Sequence, residues 1–301
     1  MKDFSSAINC IETNHLIVNK DYQKFLQHIQ FDSFESIWRY QDGETIKNIE
    51  RRSVIRFNIE HHNQKKTIYL KRHNLEFVGF WRLFSRFFPK WGLSQGRLEF
   101  ENICDFRNYR LPTVVPIAAG EKFFRFFWAE SFLITEDFSP YISLEALLED
   151  KPYFFMGLEG KHKKKILINE ISVLARKMHQ NGFNHRDFNA THILLHYDNG
   201  SDVPKIALFD LQRVEKRKFF RFRWKIKSIA GLSYSLPDDI FSPKDKLYIF
   251  LSYKGKKRLN PGNRLEWFWI KRKTAKIKRH HEKKLAKKEE KKRKGSCKDS
   301  F

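Results

Sequence analysis

The chain has 301 residues, is 41% hydrophobic with 30 Phe, and carries a formal net charge of +24. That is enough apolar material for one large domain or a two-lobed one, and the charge predicts attraction to polyanions: nucleic acid, nucleotide phosphates or an anionic membrane face. The three cysteines (Cys10, Cys104, Cys297) show no CxxC and no Cys/His zinc spacing, so a reduced compartment without a disulfide framework is expected. Met1-Lys2-Asp3-Phe4 holds an early acid and no apolar run, which argues against a signal peptide. The richest apolar segment, Phe123 to Ile134, is broken by Arg125 and Glu130, so no membrane-spanning helix is expected. Residence in the cytosol follows, free or on a membrane surface.

No internal repeat is evident. Ser53–Ile59 partly alternates apolar and polar residues and Thr67–Lys71 ends in a charge, which predicts short strands over 44–72 with a turn at His61–Gln64. Residues 97–108 predict a helix that Leu111-Pro112-Thr113 stops. Val114–Ala118 and Phe123–Ile134 predict two strands joined by a turn at Gly120. Ser143 predicts the N-cap of a short helix to Glu149. Leu167, Ile171, Leu174 and Met178 put one apolar face on a helix over 163–180, with Gly182 as its C-cap. A loop, two short strands and mostly helices to about residue 270 follow. The expectation is an α+β chain divided as an N-terminal extension (1–39), a β-rich lobe (40–135), a helical lobe (136–270) and a basic tail (271–301), with Thr135–Phe138 as the connector.

The loop His185-Arg186-Asp187-Phe188-Asn189-Ala190-Thr191-His192 follows the long helix and is anchored by Ile193-Leu194-Leu195. The apolar run Ile206–Phe209 then delivers Asp210 at a strand end, 23 positions after Asp187. Phosphoryl transfer needs few parts: a group holding the α/β-phosphates, a carboxylate on magnesium and a carboxylate orienting the attacking hydroxyl. Asp187 stands where the last belongs. Asp210 suits a hard cation that prefers oxygen ligands. Lys71 ends a predicted strand, and either Glu99 or Glu101 can face it from the 97–108 helix, since i and i+2 point apart.

Gly43-Glu44-Thr45-Ile46-Lys47, Tyr69-Leu70-Lys71-Arg72, Leu98-Glu99-Phe100-Glu101-Asn102, Leu111-Pro112-Thr113, Ala119-Gly120-Glu121 and Leu133-Ile134-Thr135-Glu136 occur in this order. They lead to His185-Arg186-Asp187 with His192 and to Phe209-Asp210-Leu211. This set resembles the bacterial lipopolysaccharide core kinases (Kdo and heptose kinases) over about residues 40–255. The resemblance implies a two-lobed protein-kinase-like fold with a β-rich N-lobe and a helical C-lobe. It implies ATP- and Mg2+-dependent phosphorylation of a sugar hydroxyl of the lipid-linked inner core, on the cytoplasmic face of the inner membrane. By the same resemblance Lys71 holds phosphates, Glu99 pairs with it, Glu136 offers backbone contacts to adenine, Asp187 is the base and Asp210 binds magnesium. His192 stands where protein kinases carry Asn. It is assigned either to the metal or to a structural hydrogen bond within the loop. No Gly-rich loop precedes Lys71, and no Ala-Pro-Glu appears downstream, which argues against an ordinary protein kinase.

Phe80–Trp91 alternates aromatics and cations, and reads either as an interfacial helix in a headgroup layer or as a helix packed on the β-lobe. Lys271–Lys294 holds 14 Lys/Arg and 3 Glu, a net +11 (14 − 3). With few apolar residues it reads as a solvated helix or a disordered tail that meets anionic lipid or, with no nucleic-acid module beside it, less readily RNA or DNA. The alternatives to a lipopolysaccharide kinase are a kinase-fold scaffold on membranes without turnover, and a kinase with a protein or small-molecule acceptor.

Overall fold

Strand alternation builds the first part of the chain, over longer elements than the sequence predicts. The computed structural model describes residues 6–13, 15–61, 64–79, 90, 92–124, 127–216 and 222–296. They fall into two units, Met1–Ile142 with Ala207–Val214, and Ser143–Ile206 with Glu215–Phe301. In the first unit β1 (Cys10–Glu12), β2 (Leu16–Asn19), β3 (Glu44–Ile49), β4 (Arg52–His61), β5 (Gln64–Phe77), β6 (Pro116–Phe124) and β7 (Trp128–Glu136) form one sheet. Its order is β1-β2-β6-β7-β5-β4-β3. All neighbours are antiparallel.

The segment 1–39, expected as an extension, supplies β1 and β2 to this sheet and two short helices, α1 (Gln23–His28) and α2 (Phe34–Arg39). Phe25, Leu26, Phe34 and Ile37 of these helices join Ile68, Leu70, Ile117, Phe132 and Ile134 in one buried cluster. Because successive strand residues point to opposite faces, Ile68 and Leu70 face this cluster while Tyr69, Lys71 and His73 face the other way. Cys10 on β1 and Cys104 lie with Sγ atoms 3.8 Å apart as free thiols.

Gly120 is not a turn. It lies within β6, opposite Phe132 of β7. A Cβ there would come within 2.5 Å of the Phe132 ring. Glycine is required for close approach rather than for chain reversal, a role that turn chemistry in a sequence does not reveal. β6 continues past Gly120 to Phe124, and β7 begins at Trp128.

Helix α3 (Gln95–Asn108) packs on the Lys71 face. Ser94 caps it, accepting from Arg97 N–H. Its other leading amides are taken by neighbouring strands: Ser94 N–H donates to Glu121 at 3.1 Å, Gln95 N–H to Glu76 at 2.9 Å and Gly96 N–H to Ser131 Oγ at 3.1 Å. These are the donors a helix N-terminus leaves without internal partners. A Cβ on Gly96 would meet the Phe132 backbone oxygen at 2.5 Å, so glycine sets how closely α3 approaches β7.

Glu76 is buried, and desolvation lifts its carboxyl to about 7 against the lowering pull of the Ser131 and Gln95 hydrogen bonds. A carboxyl raised above its unfolded value contributes stability that is complete below the unfolded value and is lost as pH rises through the folded one. The protein is therefore expected to lose about 2–3 kcal/mol between pH 5 and 8 from this group. Denaturant titrations of wild type and Glu76→Gln across that range check it: the variant curve should be flatter, and parallel curves would remove Glu76 as the cause.

A two-residue strand, β8 (Ile142–Ser143), precedes the second unit. There α4 (Leu144–Asp150) is capped by Ser143 as expected. The long helix α5 runs Gly157–Gln180, longer at its start than its apolar stripe, and buries Leu167, Ile171, Leu174 and Met178. Gly182 follows it with φ +83°, the left-handed geometry that ends helices. Then come β9 (Phe183–His185), β10 (Ile193–His196), β11 (Lys205–Leu208), β12 (Val214–Lys216) and the helices α6 (Phe222–Ser235), α7 (Pro243–Lys254) and α8 (Pro261–Ser296). The basic segment from 271 continues α8 as far as Ser296, with Thr274 and Ile277 half-buried and residues 281–290 exposed, and residue 270 is an interior position of that helix. Phe80–Trp91 lies almost wholly outside the described residues.

Candidate active site

In the first unit the structure brings Lys71, Glu99 and Asp210 together. Lys71 Nζ forms a salt bridge to Glu99 Oε2 and another to Asp210 Oδ1 at 3.0 Å. The Lys71 side chain is 11% exposed and that of Glu99 is 5% exposed, whereas Asp210 keeps 26%. Glu99 rather than Glu101 is the partner; Glu101 instead accepts from Arg97 at 3.0 Å on its own helix. Burial holds the Glu99 carboxyl above its ordinary value, with Lys71 pulling it down and Asp210 pushing it up.

Asp210 reaches this cluster through a backbone bend. Its φ of +56° and ψ of 60° are left-handed, a conformation Asp tolerates better than most residues but which still stores strain. The surrounding segment is fixed on both sides. Leu208 N–H donates to Pro112 O at 2.9 Å, and Asn102 Nδ2 donates to Leu211 O at 2.9 Å and Val214 O at 3.3 Å. Asn102 lies one turn beyond Glu99 on the same helix face, so a single face of α3 holds both the lysine and the segment that follows the aspartate. Sequence reasoning missed Asn102; the available signal is a polar residue three positions after Glu99 on an otherwise apolar face. It also missed His73, which shares the strand face of Lys71. Desolvation and the neighbouring Lys71 and Arg52 charges lower this ring to about 3, so it is neutral.

Glu136 does not join the cluster. It ends β7 on the same face as Ile134, and its carboxylate accepts from Tyr22 OH and pairs with Lys66 at 3.4 Å. Its N–H donates to Val115 O at 3.0 Å, and the next amide, Asp137, donates to Thr67 O at 2.9 Å. The Glu136 side chain thereby ties the N-terminal segment to the end of β7. On the Lys71 face, Tyr69 stacks on Phe138 with ring centroids 5.8 Å apart, and Phe138 lies 5.7 Å from Phe209.

In the second unit Asp187 sits half-buried in the loop between β9 and β10. The fully buried His185 ring accepts the Asp187 N–H at Nδ1, 3.2 Å away. The His192 ring stacks on His185 with centroids 5.8 Å apart. Asn189 caps the one-turn helix at Ala190–His192. Ala190 N–H donates to Ser235 Oγ of α6 at 2.9 Å, and Phe188 is buried. The loop is held at both ends and in its middle. Asp187 opens into a cavity of about 730 Å³ whose walls include Arg186, Asn189, Tyr234, Lys246 and Lys278. Lys246 pairs there with Asp238 at 2.6 Å.

Among the described residues no group of three or more His, Cys, Asp or Glu is placed to hold a metal by protein ligands alone. No helix among them is long and apolar enough to cross a membrane. The donor set is one that fits magnesium, which is commonly held by one or two carboxylates plus substrate phosphates. Asp210 is a partly exposed carboxylate of that kind.

Residues 35–253 match the lipopolysaccharide kinase (Kdo/WaaP) family. The chain is 31% identical over 215 residues to the lipopolysaccharide core heptose(I) kinase WaaP of Escherichia coli strain K12, covering 66% of this chain and 77% of that one. A second Escherichia coli WaaP is 30% identical, covering 68% of this chain and 78% of that protein. The Pseudomonas aeruginosa WaaP is 25% identical over 74% of this chain and 80% of its own length. Among solved structures, WaaP in complex with acyl carrier protein superposes with a TM-score of 0.65 at 23% identity, covering 87% of this chain and 98% of that chain. The protein-kinase-like fold expected from the motifs is thus supported by shape as well as by sequence. The match spans β3 to α7 and includes Lys71, Glu99, Glu136, Asp187, His192 and Asp210. The chain belongs to the lipopolysaccharide kinase (Kdo/WaaP) family.

Proposed function

We propose that the chain transfers the γ-phosphoryl group of ATP to a sugar hydroxyl of the lipopolysaccharide inner core, with heptose as the acceptor sugar, on the cytoplasmic face of the inner membrane. The observation that carries this reading is the Lys71–Glu99–Asp210 cluster. Its three charged groups converge from β5, α3 and the segment after β11. Lys71, braced by Glu99, holds the nucleotide phosphates. Asp210 would hold magnesium, which would offset the charge of the nucleotide phosphates. The Glu136–Asp137 backbone lies where adenine is read.

Asp187 accepts and orients the proton of the attacking hydroxyl, and the cavity beside it receives the acceptor. Its mixture of hydroxyl, amide, ammonium and carboxylate groups suits a polyhydroxylated ligand better than an apolar one. For His192, the stack on His185 favours the structural of its two roles: the pair of rings supports the loop whose Asp187 amide His185 accepts. Rate enhancement comes mainly from positioning and charge stabilisation, since the protein has little covalent chemistry to perform.

The test is transfer of labelled phosphate from ATP with Mg2+ to defined heptose-terminated and Kdo-terminated core acceptors. Label on the heptose acceptor is expected. Silence on every acceptor, with no ATP-dependent rise in Tm, would return the chain to a scaffold without turnover. Label on Kdo alone would change the acceptor sugar.

A further inference from the structure

Helix α8 lies beyond the family-matched residues 35–253, yet it forms a wall of the Asp187 cavity. Thr274, Ile277, Lys278 and His281 supply that wall. Their spacing of i, i+3, i+4 and i+7 puts them on one side of the helix. Thr274 Oγ1 donates to Ala230 O of α6 at 3.4 Å and His281 hydrogen-bonds Tyr234 of α6, so this side is docked.

The opposite side is different. A second groove of about 910 Å³ between α6 and α8 is lined by Trp269, Arg272, Lys276, Arg279 and Lys283 of α8 together with Arg223 of α6, and its lining contains no carboxylate. At about 100° per residue, positions 269, 272, 276, 279 and 283 fall nearly opposite 274, 277, 278 and 281. At the start of the helix Leu265, Phe268 and Trp269 are 58%, 49% and 43% exposed. Exposed aromatic and aliphatic side chains next to a carboxylate-free row of cations are what a headgroup layer selects. The apolar groups enter the acyl boundary and the cations meet phosphates. A purely electrostatic partner such as nucleic acid would use the cations and leave the exposed Leu265–Trp269 cluster without a role.

We infer that the outer face of α8, from Leu265 through Lys283, is the surface by which this protein docks on an anionic phospholipid bilayer. The same helix then presents its inner face to the acceptor cavity at Asp187. The lipid anchor of an inner-core acceptor and the enzyme would thus share one surface. The kinetic part of this inference rests on the proposed function; the docking part does not.

The full chain is compared with an outer-face variant, Arg272→Gln/Lys276→Gln/Arg279→Gln/Lys283→Gln, and with a control, Lys256→Gln/Lys257→Gln/Arg258→Gln/Lys284→Gln. The control removes the same charge elsewhere, and glutamine keeps helix propensity. Co-sedimentation with phosphatidylcholine vesicles, with and without phosphatidylglycerol, reads docking. Wild type and control should bind only the phosphatidylglycerol vesicles, and the outer-face variant should lose about fivefold in affinity per cation removed. The apparent KM should rise for an acceptor embedded in those vesicles and stay at the wild-type value for the deacylated core oligosaccharide. Equal loss in the control, or vesicle binding by the outer-face variant at the wild-type level, overturns the assignment. So does loss of oligonucleotide binding with vesicle binding retained, which gives the face to nucleic acid. Absence of transfer to either acceptor by wild type would count against the proposed function alone, because sedimentation still decides the docking face.

Discussion

Asp187→Asn is expected to lower kcat by about a thousandfold, within the range for loss of a positioned general base, with little change in Tm or in stabilisation by ATP. The local structure explains why the effect should be kinetic. The features that shape the loop are the Asp187 amide donated to His185, the Asn189 cap, the Ala190 amide donated to Ser235 and the buried Phe188 side chain. Asparagine leaves each of these in place. Asparagine keeps the volume and removes the proton acceptor, so the loop should persist while the hydroxyl is no longer oriented and deprotonated. Steady-state kinetics on the heptose acceptor, with thermal melts ± ATP, provide the measurement. A rate within tenfold of wild type would remove Asp187 from the base role. A collapse of Tm would instead show that the carboxylate holds the loop.

The parts of this arrangement that a sequence shows are those written locally. The Leu167–Met178 stripe, the Ser143 cap, the Gly182 stop and the choice of Asp187 and Asp210 each depend on residues a few positions apart, or on a motif with fixed internal order. Helix geometry narrows the partner of Lys71 to one of Glu99 and Glu101, and the family resemblance rather than the periodicity picks Glu99. What escapes is set by partners far away in sequence. Gly120 looks like a turn until Phe132 is placed opposite it. α1 and α2 have six residues each, too few to establish a period, and show their purpose only when Phe34 and Ile37 meet Phe132 and Ile134. Asn102 has no signature of its own, because its value lies in two carbonyls more than a hundred positions later. The opposed faces of α8 are hidden in a run whose composition alone reads as a solvated charge tract.

Lys71→Met should cost about 3–5 kcal/mol at neutral pH, the range for breaking a buried ion pair from one side, and should abolish stabilisation by ATP. Glu99 is the reason for the stability cost. Its carboxyl is buried and already raised by desolvation, and Lys71 is the largest influence opposing that rise. Without the ammonium its folded value climbs further above its unfolded one. A group raised in this way contributes stability that is present below the unfolded value and lost as pH rises through the folded value. The variant's deficit should therefore shrink as the pH is lowered and Glu99 binds a proton, whereas a deficit caused by lost packing would not depend on pH. The second variant separates folding from nucleotide binding. Lys71→Met/Glu99→Leu removes both buried charges and should recover most of the lost stability, since apolar replacement of a buried pair is often neutral or better. It should still bind no ATP, because the group that holds the phosphates is absent. Denaturant unfolding from pH 5 to 8 for the three proteins, with ATP-dependent melts, decides the matter. Equal stability of Lys71→Met and wild type would mean that Arg52 and solvent, rather than Lys71, satisfy Glu99. Retained ATP stabilisation in the double variant would move phosphate binding elsewhere in the first unit.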